Sequence, residues 1–192
     1  MTNKRFYIYM ILSIMLGLQA CAAVVVTGGA AGAAMVHDRR TPGTFIEDET
    51  IELKAIQAFF TDKEIHEQAH LNATSFNTVV LLTGEAPTEE LRQRIVEKVR
   101  NIPKVTHVYN EITIAAPSSL MSRSSDTVIT TKVKTKLLHD KRTPGTRIKI
   151  VTENGVVYLI GLLSRAEADS ATEIARHTRG VQKVVKLFQY ID

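Results

Sequence analysis

A single cysteine, Cys21, is all the thiol chemistry in this 192-residue chain, so no disulfide within the chain can staple its fold. No G-x-S-x-G elbow occurs, and no glycine-rich phosphate loop follows a predicted strand. The usual sequence signs of serine hydrolysis and nucleotide binding are therefore missing. Long hydrophobic runs are scarce as well: the apolar stretch Phe6 to Leu18 covers 13 residues, short of the roughly 20 that a membrane-spanning helix needs. His37, His107, His139 and His177 share no spacing and read as solvated surface.

What is present begins at the N-terminus. Lys4 and Arg5 ahead of Phe6–Leu18 form the charged and apolar regions of an export signal. The run Leu18-Gln19-Ala20-Cys21 resembles a bacterial lipobox, whose cysteine is acylated and becomes the new N-terminus; Gln19 is looser than the usual pattern. Left uncut, Phe6 to Val26 would just span a bilayer as a signal anchor. Gly17, Gln19 and the glycines after Val26 make a poor helix continuation. The expected organisation is a signal peptide over residues 1–20, then a lipidated Cys21 and flexible tether over residues 21–45. At about 0.8 kcal/mol per buried CH₂, two or more acyl chains hold a protein permanently. Ala22, standing where the lipobox pattern would use Asp for retention, implies transfer to the outer membrane, facing the periplasm.

The remainder repeats itself. A shift of 77 residues puts Thr50-Ile51 on Thr127-Val128, Ile56 on Val133, Phe60 on Leu137, and Asn77–Gly84 on Asn154–Gly161. One residue is lost later, when Ile95, Val99 and Val108 meet Ala171, Ala175 and Val184. Such a register implies duplication. Each copy reads as helix, two strands, helix, strand. The first helices are expected over Glu47–Phe60 and Asp126–Leu138, with Asp126 as N-cap, and Asn154-Gly155 is the strongest hairpin signal. Residues 46–116 and 125–192 are the two expected domains, and the Ser- and Pro-containing residues 117–124 the linker. The fold class is α+β, with two helices packed on a three-stranded mixed sheet in each copy.

The element order, the repeat length, the glycine closing the second strand of each copy (Gly84 and Gly161) and the lipobox resemble dual BON-domain outer-membrane lipoproteins. Val108-Tyr109-Asn110-Glu111-Ile112, Ile129-Thr130-Thr131-Lys132-Val133 and Val151-Thr152-Glu153-Asn154-Gly155 carry the likeness, and none of these stretches is catalytic. The resemblance implies a non-enzymatic protein without cofactor that supports envelope integrity, at the division site. It further implies anionic phospholipid, of phosphatidylglycerol type, as ligand of the second domain's first helix.

One catalytic pattern needs weighing. His66-Glu67-Gln68-Ala69-His70 matches H-E-x-x-H, which holds zinc only when both histidines share a helix face. The repeat alignment sets Ala69 and His70 at the start of a strand, and the metzincin extension fails at Ala73 and Phe76. No metal site is expected there. The octapeptide His37–Thr44 recurs almost verbatim as His139–Thr146 at a spacing of 102 residues, and reads as a basic surface loop in both places.

Charge separates the two copies. Residues 46–116 hold 7 Lys or Arg against 12 Asp or Glu, net −5, while residues 125–192 hold 12 against 7, net +5. Basic charge suits nucleic acid, acidic polymers and anionic lipid alike; an envelope address removes nucleic acid. At 100° per residue, Ile129, Thr130, Val133 and Leu137 should face the sheet. Val128, Thr131, Lys132, Thr135, Lys136, Leu138 and His139 should face outward, mixing apolar side chains with cations as an anionic bilayer interface requires. The resembling family carries an aromatic at the position of Val128, so a shallower insertion is expected here. The alternative is a protein adaptor, in which an outward Ile51, Ala55 and Phe59 face or the acidic first copy docks an envelope-assembly or cell-wall amidase-regulating protein.

Overall fold

The computed structural model describes residues 39–192. The expected signal peptide, Cys21 and the expected tether as far as residue 38 lie outside them, whereas residues 42–45, also expected as tether, form the first turn of a helix. No described helix is long and apolar enough to cross a membrane.

The first copy opens with helix α1 (Pro42–Thr61), capped by the Thr41 hydroxyl, which accepts from Thr44 N, with proline in the first turn. Proline's fixed φ suits that position, and its missing N–H costs nothing there. A short helix α2 (Lys63–Gln68) follows, then β1 (His70–Phe76) and β2 (Val79–Ala86), helix α3 (Glu89–Arg100) and β3 (His107–Ile114). The second copy runs α4 (Leu120–His139), a 3₁₀ turn (Gly145–Arg147), β4 (Lys149–Glu153), β5 (Val156–Leu163), α5 (Arg165–Arg176) and β6 (Lys183–Tyr190). In each copy the hairpin is antiparallel and the strand after the crossover helix pairs parallel, giving orders β1-β2-β3 and β4-β5-β6. The α+β architecture is as expected.

Alternation along β2 and β5 assigns each sheet face its own partner. Val80 and Leu82 point into a core with Ile51, Ala55, Ile95 and Val99; Val157 and Leu159 do the same with Val133, Leu137, Ala171 and Ala175. The opposite faces meet each other: Phe76 and Leu81 pack with Tyr158 and Ile160 in a third core between the copies. Lys149 Nζ reaches Glu52 Oε1 at 2.6 Å, and Asn77 Nδ2 donates to Gln189 Oε1. Sheet stacks on sheet with the helices outside, so each small domain borrows a face of the other, as units of this size need.

Four expectations need correction. The first helices superpose at a spacing of 78, not 77: Asp48, Ile51, Ala55 and Phe59 are buried in α1, as Asp126, Ile129, Val133 and Leu137 are in α4. The proposed outward face of Ile51, Ala55 and Phe59 therefore faces the core, and the exposed apolar stripe of α1 is Ile46, Leu53, Ile56 and Phe60. A one-residue slip turns a helix by 100°, and α1 has apolar residues at both phases. Secondly, α4 starts at Leu120 with Ser119 as cap, so much of the expected linker is helix. Thirdly, Asp126 is no N-cap. It lies buried mid-helix, its carboxylate accepting from Asn154 N and Gly155 N of the hairpin turn. Asp48 does likewise for Asn77 N and Thr78 N, a turn in which Thr78 takes φ +65°.

The fourth correction concerns the octapeptide. In the first copy its Thr41 and Pro42 start a helix, and Arg40 is buried against Asp48 at 2.7 Å. In the second it closes one: Thr143 Oγ1 donates to Leu137 O, and Gly145 lies so close that a Cβ would come within 2.5 Å of that carbonyl. Neither place is a plain surface loop.

Candidate functional site

Helix α4 carries the candidate site because its buried residues recur at one phase and leave the other phase to solvent. Val128, Thr131, Lys132, Thr135, Lys136, Leu138 and His139 are all exposed, Val128 at 48% and Leu138 at 51%. The unexpected early start of the helix adds Leu120 and Met121, 80% and 84% exposed, on the same side. The outward face thus runs some 30 Å, at 1.5 Å per residue over 20 residues, with apolar side chains at both ends and cations in the middle.

The cations differ in their freedom. Lys134 is not part of the face: its Nζ donates to Gly145 O and Ile148 O, both at 2.8 Å, and burial holds its pKa below the usual lysine value. It ties the helix end to the following turn. Lys136 reaches His177 O at 3.3 Å, and His139 Nδ1 lies 2.7 Å from Thr135 O. Lys132 forms no ion pair among the described residues.

Two clefts flank the helix. The first, about 370 Å³, is lined by Ser122, Asp126, Val128, Lys132, Arg179 and Gln182, together with the turn at Asn154-Gly155. Arg179 arrives there through Gly180, whose φ of +103° and lack of a side chain let the loop sit on Ile129; a Cβ would stand 2.9 Å from its Cγ1. That pairing of cations was invisible in the sequence, since 47 positions separate Lys132 from Arg179. The second cleft, about 490 Å³, is lined by Lys136, His139, Asp140, Glu173, Ile174 and His177. Its two acids outnumber its one lysine, whereas Lys132 and Arg179 outnumber Asp126 in the first cleft, so an anion fits the first better.

The first copy lacks this combination. At the corrected register Lys132 corresponds to Lys54, Lys136 to Ala58, and Val128 to Thr50. The H-E-x-x-H segment does not assemble either: His66 stands on α2 against the Phe60 ring, centroids 4.8 Å apart, whereas His70 opens β1.

By sequence, residues 47–116 and 125–192 each match the BON domain family. The chain is 39% identical over 94% of its length, and 96% of the relative's, to "Outer membrane lipoprotein DolP" of Haemophilus influenzae. It is 39% identical to the "21 kDa hemolysin" of Actinobacillus pleuropneumoniae, over 80% of this chain and 79% of that one. "Osmotically-inducible protein Y" of Escherichia coli is 28% identical over 82% of this chain and 80% of its own.

Proposed function

The chain belongs to the BON-domain family, and from that premise we propose that it is a non-enzymatic outer-membrane lipoprotein which recognises anionic phospholipid through α4. The outward face of that helix carries the reading. Lys132 and Lys136 stand among exposed Leu120, Met121, Val128 and Leu138, which is the make-up of a helix lying in a bilayer interface. The cleft holding Lys132 and Arg179 would take the headgroup phosphate. Likeness to an outer-membrane lipoprotein over nearly the whole chain supports acylation of Cys21 and a periplasm-facing anchor.

Each lysine near an anionic surface contributes about 1 kcal/mol, so the face alone would bind weakly. Anchoring by Cys21 would raise its effective concentration at the membrane, letting it select lipid regions such as those at the division site without high affinity. For residues 39–192, flotation with vesicles rich in phosphatidylglycerol is expected at low salt and not with phosphatidylcholine alone. The double change Lys132→Glu, Lys136→Glu should weaken it about tenfold or more. Equal flotation of the double variant would overturn the reading.

A second reading rests on α1. Its exposed Ile46, Leu53, Ile56 and Phe60 form an apolar stripe beside Glu47 and Glu49, whose charge repels anionic lipid. A protein of the envelope-assembly or cell-wall-remodelling class would suit that face. Leu53→Glu with Phe60→Glu should then abolish partner capture while leaving flotation intact.

A further inference from the structure

We propose a divalent transition-metal site, of zinc class, held by His70, Glu85 and Glu153 across the junction of the two domains. The ring nitrogens of His70 and the carboxylate oxygens of both glutamates supply three atoms all within 4.8 Å of one another. His70 and Glu85 face each other on paired β1 and β2, while Glu153 ends β4 of the other domain. One imidazole with two carboxylates is a donor set that zinc-class ions accept. Ligand atoms on a tetrahedral zinc lie roughly 3.3 Å apart, so small side-chain rotations would close the set.

Among the described residues no ion pair neutralises the buried carboxylates of this cluster. Glu85 and Glu153 are only 2% and 7% exposed, and buried Asp126 lies beside them. Burial, then Glu85, then Asp126 push the Glu153 carboxyl above its ordinary range, against neutral Thr83 and Asn72 alone. Two carboxylates facing each other in such surroundings call for a cation or a proton. Arg123 is near enough for its field to reach His70, but its guanidinium is turned to Ser118, donating to the carbonyl at 2.8 Å and the hydroxyl at 3.3 Å.

Thr83, which adjoins Glu153, gives a second sign. Its side chain is fully buried, next to Glu153 and on the sheet face of Glu85, yet Oγ1 forms no hydrogen bond of ordinary geometry. A buried hydroxyl left in that condition is uncommon; an ion with a bound water in the cluster would give it a partner. The ligands are already oriented. Glu85 Oε1 accepts from Asn154 Nδ2 at 2.8 Å and Oε2 from Ser118 N at 3.2 Å, leaving lone pairs for a metal. Burial, then Arg123, hold the His70 imidazole below its usual pKa, against the opposing pull of Glu85. A cleft of about 310 Å³ bordered by His70, Arg123, Asp126 and Glu153 opens to solvent beside the cluster.

The test uses the full chain in detergent, stripped with chelator and dialysed against ZnCl₂ at neutral pH. Bound zinc is counted by mass spectrometry, and Co²⁺ serves as an optical probe. Wild type should retain one equivalent more than Glu153→Gln or His70→Gln, with affinity in the variants at least about 100-fold lower, and zinc should raise the melting temperature of wild type alone. Surface histidines contribute the same background to all three. Equal zinc uptake by wild type and both variants would overturn the site. So would no uptake by wild type, and a metal-free Glu153→Gln that then melts higher would show that a proton is the missing countercharge. Should one variant not fold, the other decides.

Discussion

Asp48→Ala is expected to lower stability by about 3–5 kcal/mol, the usual cost of breaking a buried ion pair from one side. Its carboxylate accepts from Arg40 Nη1, Ser75 Oγ, Asn77 N and Thr78 N, each at 2.7–2.8 Å. Arg40's side chain is 7% exposed against 2% for Asp48, and its guanidinium also lies over the Phe76 ring, 4.1 Å from the centroid. The same substitution at Asp126 is the control. That residue holds the equivalent turn through Asn154 N and Gly155 N without a salt bridge to it seen among the described residues, and it crowds Glu153 electrostatically. Losing it should cost about 1–3 kcal/mol, the penalty of unpaired buried N–H groups, partly offset by relief of that repulsion. Urea midpoints measure both, and equal losses would show that the Arg40 pair adds nothing.

Gly84→Ala should cost about 3 kcal/mol or more, roughly 6 °C or more in melting temperature for a unit of this size. The residue takes φ +119°, and a Cβ there would stand 1.9 Å from His70 O. Both obstacles are backbone, which a neighbouring rotamer change does not relieve. Its counterpart Gly161 lacks the positive φ, and its Cβ would meet Arg147 O at 3.0 Å, so Gly161→Ala should cost only about 1 kcal/mol. Thermal melts of the two variants separate them. If they fall equally, the glycines answer a need shared by the repeats and the strain at Gly84 is not what matters.

These two pairs mark how far the sequence could be read. Order and type of elements were legible because they are written locally. Asn154-Gly155 tolerates the positive φ of a tight turn, β5 runs apolar over its eight residues and β2 opens with four apolar ones, and Thr88 and Ser164 cap the crossover helices. The outward residues of α4 were legible for the same reason, since Ile129, Val133 and Leu137 share one phase. On α1 two apolar phases compete, and the 77-residue register selected the wrong one.

The sequence by itself therefore determined the tandem α-β-β-α-β plan, the split of charge between the copies and the face of α4 left to water, all properties of neighbouring residues and their periodicity. Tertiary structure alone decided which phase of α1 is buried, why nearly identical octapeptides start one helix and finish another, how Arg179 comes beside Lys132, and that His70, Glu85 and Glu153 converge. Each of those depends on which sheet face meets which, and that choice is made by burial summed over residues far apart in the chain.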